Sequence, residues 1–374
     1  MKNNLYLDMH IIQTVPPSCV NRDDTGSPKT AIYGGTTRAR VSSQAWKSAM
    51  RKMFRDELFV PEKLGSRTKL VLDMVEKEIL NIKPDADAKK LAKDVKDSLT
   101  KAKAGVKFKE DKNNSEKNAA AEALFFMSTA QAKALATIAV QSVNGEIDTK
   151  KNKKKWLDAL KSSPSIDIAL FGRMVASEPL LNCDAAAQVA HSISTHAVQN
   201  EYDYFTAVDD LSPDDTPGAG HLGTVEFNSS TLYRYANVNL LELASSLGEM
   251  DASAAARGFV EAFVRSMPTG KQNTFANRTL PSMVYVTLRR DQPVNLCGAF
   301  EKPIRAGEDG YAAESERRFV EYAKKVYSSY ASEPVAAYAI GDEIAELGKV
   351  MPLNTLLNAV YEDIKAYLSE SEGV

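Results

Sequence analysis

The chain has 374 residues, 47 Lys+Arg against 49 Asp+Glu, a net charge of −2 and 44% apolar residues, a soluble composition long enough for two or three lobes with a sizeable core. So even a balance excludes nucleic-acid binding through bulk charge and leaves only a local patch to do it. Three scattered cysteines, Cys19, Cys183 and Cys297, argue against a disulfide framework or a zinc knuckle and for a reducing cytoplasm, and there is neither a membrane-spanning apolar run nor a signal-peptide core.

Leu5, Leu7, Met9 and Ile11 alternate with Tyr6, Asp8 and His10, which predicts a strand that Pro16-Pro17 breaks. In the polar loop that follows, Asn21, Asp23 and Asp24 suit an Asx-type turn. Gly34-Gly35 gives permissive backbone before Thr36–Arg55, a stretch with six basic residues and no acid: Arg38, Arg40, Lys47, Arg51, Lys52 and Arg55. A helix starts near Ser42 and Ser43, both good N-caps, with Gln44 in the first turn. Ala45, Ala49, Met50, Met53 and Phe54 share one face, and Lys47, Arg51 and Arg55 recur every four residues on another. A helix N-terminus followed by a basic row suits a polyanion backbone; a solvated basic face is the plain alternative.

Residues 56–181 read as mostly helical, with amphipathic helices around Leu70–Ile79 and Leu91–Leu99. Between Lys83 and Lys117, eleven lysines and seven acids suit an exposed, partly mobile lobe. Lysines 151–155 read as a solvated loop or as part of a nucleic-acid surface. An apolar segment, Ser165–Met174, ends in Gly172-Arg173-Met174. A helix is predicted around Ala185–Thr195. Strands around Val225–Phe227 and Thr231–Asn239, after the turn-rich Ser212–Gly223, predict a long β-hairpin arm that returns as a core strand. Helices at 252–267, 312–330 and 353–369 and a strand at 282–288 complete the chain. Without a regular βαβ repeat, the fold class is α+β, with helices on one face of a sheet, as in a ferredoxin-like or RRM-type core carrying insertions.

Several motifs fail on context. Gly218–Gly223 matches G-x-G-x-x-G but leads into strand, and Gly270-Lys271 lacks the rest of a P-loop. No spacing of His and Cys makes a metal site, so no cofactor or metal is expected. His10 with Asp23 or Asp24 can form a general acid–base pair; turn aspartates and a sheet-face histidine are the plainer reading.

P-S-C-V-N-R-D-D, A-I-Y-G-G-T-T-R-A-R-V-S-S-Q-A-W-K-S-A-M-R-K, D-I-A-L-F-G-R-M, Y-F-T-A-V-D-D-L, H-L-G-T-V-E-F and Y-R-Y-A-N-V-N-L follow one another in this order. With them the chain closely resembles the CasC-type backbone subunits of the type I-E CRISPR Cascade surveillance complex, in the RAMP superfamily. The resemblance implies a modified ferredoxin-like/RRM palm (1–55, 182–196 and 228–374), a helical fingers insertion (56–181) and a β-hairpin thumb (197–227). It implies a non-catalytic cytoplasmic protein. Copies of itself would assemble along one CRISPR RNA with other Cascade subunits and present the guide to target DNA. RNA-backbone contacts are implied at Arg22, Lys29, Ser42, Gln44, Lys47 and Arg51, a base wedge at Met174, and thumb contacts at Tyr204, Phe205, Leu222 and Thr224. Arg38 and Arg40 join this set on charge, Ser43 as a helix-start donor and His221 beside Leu222. The enzymatic alternative is a metal-dependent ribonuclease that cuts target RNA with Asp23 and Asp24, as backbone subunits of related type III complexes do.

Overall fold

The computed structural model describes residues 4–110, 117–145, 153–176, 178–206 and 222–371. The chain divides into two compact units. The first holds residues 1–52, 189–237 and 257–366; the second holds 53–188, 238–256 and 367–374. This partition places 238–256 and the C-terminal residues with the helical insertion, where the sequence-based division put them with the sheet.

The first unit is built on one large sheet. From edge to edge its path runs Lys349–Val350, Ala336–Ile340, Met283–Arg289, β1 (Tyr6–Ser18), Leu222–Asn239, Ser192–Ser194, β3 (Thr36–Val41) and β2 (Thr30–Tyr33). β1 and Met283–Arg289 are antiparallel, from Tyr6↔Arg289 to Ile12↔Met283. The core follows the chain order β1, helix α1 (Ser43–Met53), Ser192–Ser194, Leu222–Asn239, helix Glu249–Arg265 and Met283–Arg289. That is the strand–helix–strand–strand–helix–strand order of a ferredoxin-like unit, and the fold is α+β.

Helices cover both faces of the sheet, where the sequence predicted one. On one face Tyr233, Tyr235 and Tyr285 pack with Phe319, Val320 and Ala323 of the helix Ala312–Ser329. On the other, Arg234 lies over the ring of Trp46 in α1 at 3.8 Å and of Phe263 in Glu249–Arg265 at 4.6 Å. A central sheet buried on both sides explains why β1 is buried along almost its whole length, Asp8 and His10 included. β1 also runs through Pro16-Pro17 to Ser18 and does not break there. Its pairing to Met283–Arg289 ends at Ile12, and prolines are tolerated where a strand has lost a neighbour.

The predicted helix at Ala185–Thr195 is extended chain with the strands Ala187–Val189 and Ser192–Ser194. Alanine propensity is overridden by pairing: Ala190 N donates to Tyr235 O at 2.9 Å and Thr195 N to Thr231 O at 2.8 Å. The predicted arm is present. Glu201–Thr206 pairs antiparallel with the first part of Leu222–Asn239, whose later part enters the main sheet.

The second unit has its own core. Val71–Ile82, Ala88–Lys101, Thr129–Val143 and Lys153–Lys161 pack through Val75, Ile79, Leu91, Val95, Leu99, Leu135 and Trp156. Within 83–117, read as an exposed, partly mobile lobe, Ala88–Lys101 is a helix whose mostly exposed lysines lie around a buried stripe of Leu91, Ala92, Val95 and Leu99; residues 111–116 lie outside the described residues. Thr129–Val143 starts from a capping box, in which Ser128 Oγ accepts from Gln131 N at 3.0 Å and Gln131 Oε1 accepts from Ser128 N at 3.1 Å. Among the described residues no helix is long and apolar enough to cross a membrane.

His10 sits among Tyr233, Tyr235, Tyr285 and Phe319, its Nδ1 2.9 Å from Tyr233 Oη. Burial, then the Arg289 charge, lowers its pKa to about 3. Its ordinary value is near 6.5, so its contribution to stability is complete above that pH and lost as pH falls toward the folded value. Thermal melts of His10→Phe, which cannot charge, should therefore show the wild type losing stability relative to the variant between neutral pH and about pH 4.5. A gap independent of pH would mean that His10 titrates alike in both states.

Candidate nucleic-acid interface

The basic stretch is not one continuous helix face. Its first half is a hairpin, β2 and β3, joined across Gly34-Gly35, and its second half is α1. Gly34 has φ +58°, and a Cβ there would stand 1.7 Å from Glu301 O, so only glycine fits the turn. The buried face of α1 is Trp46, Met50 and Met53, continued by Phe54; Ala45 and Ala49 are half-buried. Trp46, absent from the predicted face, anchors the helix, and its Nε1 donates to Ser192 Oγ at 3.0 Å.

Asn21 joins the loop after β1 to the helix start. Its Oδ1 accepts from Ser42 N at 2.9 Å and its carbonyl from Lys29 N at 2.9 Å. Lys29 O in turn accepts from Arg40 N at 2.9 Å. These links bring Lys29, Arg40 and the first turn of α1 into one region, with the exposed Arg22 next to Asn21 in the chain. Ser42 is buried and serves as the cap, its Oγ accepting from Ala45 N at 3.3 Å; Ser43 is half-buried and Gln44 exposed. Lys47 and Arg51, both half-buried, follow at helical spacing. Arg55 falls beyond α1 in the turn Phe54–Leu58, where its Nε donates to Asp56 at 3.3 Å.

Arg38 is a correction. Charge alone placed it at the surface, but it is fully buried. Its Nη1 donates to Ser194 O at 2.8 Å, its Nη2 to Phe300 O at 2.8 Å and Glu301 O at 3.1 Å, and its Nε to Thr36 Oγ1 at 2.9 Å. Arg40, two residues on and on the same face of the strand, escapes this cover by the Phe300–Glu301 segment and stays accessible on the hairpin. Arg40 donates from Nε to Thr30 O at 3.2 Å and from Nη1 to Nδ1 of His191, an exposed residue not singled out from the sequence, at 3.3 Å. With Ser192 and Ser194 on one face, His191 and Ile193 share the other, and Ile193 pairs with Arg40.

His10 and Asp23 do not form an acid–base pair. His10 is committed to Tyr233 in the interior. Asp23 Oδ1 accepts from Thr25 N at 2.9 Å, Thr25 Oγ1 at 2.7 Å and Ser27 N at 3.0 Å, the Asx-type turn expected there. The Thr25 hydroxyl, the strongest influence, helps hold its carboxyl below the ordinary carboxylate range.

In the second unit, Met174 is 83% exposed beside an anchored arginine. Arg173 donates from Nε to Leu181 O at 3.0 Å, from Nη1 to Phe126 O and Gln131 Oε1, each at 3.1 Å, and from Nη2 to Leu160 O at 2.8 Å. In Gly172-Arg173-Met174 the arginine thus holds the turn and the methionine projects from it.

On the arm, Tyr204 and Thr224 are paired across the hairpin and both exposed. Phe205 has another role: its ring covers Gly223, where a Cβ would lie 2.4 Å from Phe205 Cζ. Leu222 pairs through its backbone with Thr206, and His221 lies outside the described residues.

A family model described as CT1975-like protein matches residues 7–361. Among solved structures, a chain of a "CRISPR RNA-guided surveillance complex, pre-nicking" is 31% identical with a TM-score of 0.78, the match covering 95% of this chain and all of that one. A chain of a "CRISPR RNA-guided surveillance complex" is 27% identical with a TM-score of 0.58, over 95% of this chain and 99% of the other. No curated protein matches.

Arg38→Ala should lower stability by about 3–5 kcal/mol, because it leaves buried carbonyls without donors. Arg40→Ala, on the accessible side of the same hairpin, should leave the unfolding midpoint within about 0.5 kcal/mol of wild type. Denaturant titration of both tests the division, and equal losses would refute it.

Proposed function

The chain belongs to the CT1975-like protein family, and we propose on that premise that it is the CRISPR RNA-binding backbone subunit of a type I-E Cascade complex. In this reading several copies, with the other Cascade subunits, lie along one guide RNA in the cytoplasm. The sheet unit is its RRM-like palm, the helical unit its fingers and the hairpin arm its thumb. Both similar structures are of RNA-guided surveillance complexes, and they support the assignment because both alignments span nearly the whole chain.

The observation that carries the proposal is the linkage through Asn21, which gathers Lys29, Arg40 and the start of α1 on one accessible region. Main-chain N–H groups at a helix start and a following basic row hold phosphates without reading bases. A guide whose spacer varies requires that indifference. Arg22, Lys29, Arg40, Ser43, Gln44, Lys47 and Arg51 form the backbone track, with Ser42 acting through the cap. Met174 and Tyr204, exposed apolar groups on separate supports, hold bases apart. His221, Leu222 and Thr224 complete the arm's hold on the RNA. Base pairing with target DNA then supplies specificity, while the protein supplies geometry.

The protein is a scaffold and not a nuclease. Asp23 is engaged by its own turn, which supports the scaffold over the ribonuclease alternative with Asp23 and Asp24. Nuclease protection of a CRISPR RNA by the purified chain, scored also for cut target RNA, tests both readings. Regularly spaced accessible positions with intact target are expected; target cleavage abolished by Asp23→Ala would overturn the scaffold reading.

Lys47→Ala combined with Arg51→Ala should weaken RNA binding equally across unrelated sequences. It should also reduce the slope of log affinity against log salt by about 0.7 for each phosphate that the variant no longer neutralises. An unchanged salt slope would remove the α1 row from the track.

A further inference from the structure

We propose that Lys29, Arg40 and His191 form a single phosphate subsite on the RNA track, in which His191 takes up a proton as the phosphate enters. The inference rests on the reading of the chain as an RNA-binding subunit and deepens it.

The four histidines are differently employed. His10 is sealed in the aromatic core. His196 is buried against Tyr311 with ring centroids 3.7 Å apart; its Nδ1 donates to Ala197 O at 2.9 Å and its Nε2 accepts from Thr231 N at 3.0 Å. His221 lies outside the described residues. His191 is exposed and accepts from Arg40. A guanidinium only donates, so in this state the imidazole is neutral, with its proton on Nε2. That tautomer presents an N–H to an incoming anion.

Among the described residues, the charged groups facing the ring are cations: Arg40 from β3, and Lys29 from the loop before β2. The strand that follows His191, Ser192–Ser194, carries no charge. Partial burial, then Arg40, then Lys29 hold the imidazole below its ordinary range. Two cations beside a neutral histidine make a pre-formed anion site. A phosphodiester oxygen that enters takes the Arg40 guanidinium as its partner and reverses the field at the ring. Nδ1, relieved of its donor, then accepts a proton from solvent. The resulting imidazolium adds a charge-assisted hydrogen bond to the phosphate. Proton uptake on binding requires affinity to rise as pH falls through the imidazole pKa of the complex, and to level off below that of the free protein.

The test is the dissociation constant of the full-length chain for a single-stranded CRISPR RNA, measured at constant ionic strength from about pH 8 to about pH 5.5, a range that brackets imidazole titration. Wild type, His191→Gln and the Lys47→Ala/Arg51→Ala variant are compared, with thermal melts as folding controls. Wild-type affinity should rise toward low pH, by about tenfold for each unit by which the phosphate raises the imidazole pKa. His191→Gln should show a flat profile. If wild type binds RNA with a flat profile, or His191→Gln keeps the wild-type pH dependence, the subsite is wrong and the RNA-binding reading stands. Lys47→Ala/Arg51→Ala should keep the wild-type dependence on pH, and its loss would overturn the subsite at His191; if wild type does not bind at any pH, the RNA-binding reading fails and the subsite falls with it.

Discussion

Among the described residues four guanidinium groups lie in the interior; Arg289 pairs with the Asp291 carboxylate, and the other three find acceptors in main-chain carbonyls and side-chain oxygens. Arg38 holds Ser194, Phe300 and Glu301; Arg173 holds Leu181, Phe126 and Leu160; Arg234 reaches Phe263 O and Gln13 Oε1. Each also faces an aromatic ring: Tyr33 for Arg38, Phe125 for Arg173, and Trp46 and Phe263 for Arg234. A buried cation costs several kcal/mol in desolvation unless its donors are matched, roughly the scale of a whole domain's stability. Segments far apart in the chain are therefore constrained to converge where each guanidinium can be satisfied. Burial lowers the pKa of Arg234 to about 9, so the group remains charged at neutral pH and needs those acceptors.

The candidate interface depends on the same constraint. Arg38 ties the hairpin to Ser194 and to the turn at Phe300–Glu301, and Arg234 seats Trp46, from which α1 takes its rotation. With Trp46 inward, Gln44, Lys47 and Arg51 are carried to the accessible side. Arg173 performs the corresponding task in the second unit, where a fixed turn lets Met174 project. The sites proposed to meet RNA are thus outer residues on supports whose inner residues are cationic and hydrogen-bonded to the chain. Gly34 serves the same joint, since the carbonyl that any larger residue would strike is one that Arg38 binds.

Much of this is legible in the chain. Alternation finds β1, Met283–Arg289 and the arm, and the order of the motifs carries the family resemblance without any geometry. The charge run of Thr36–Arg55 marks the hairpin and α1 but treats its arginines as equivalent. Arg38 and Arg40 share a strand face, and what divides them is cover from Phe300 and Glu301, remote in the chain and invisible to any local pattern. Ala185–Thr195 misleads because local alanine propensity says nothing about a waiting strand partner. The lysines of Ala88–Lys101 hide a buried stripe for a related reason, since composition averages over faces that folding separates. His191 gives no local signal, because its significance comes from Arg40, far away in the sequence.

Sequestering Arg38, Arg173 and Arg234 also bears on what a distant molecule meets. With Arg289 they make four buried cations against three buried acids, Asp8, Asp167 and Glu316, among the described residues, so the exterior keeps a net charge close to the formal −2. Beyond a Debye length of about 8 Å at physiological salt, so small a charge is largely screened. The attraction of the basic region acts only after close approach. Any hold on a polyanion therefore rests on contacts made at the basic region itself, with little long-range steering.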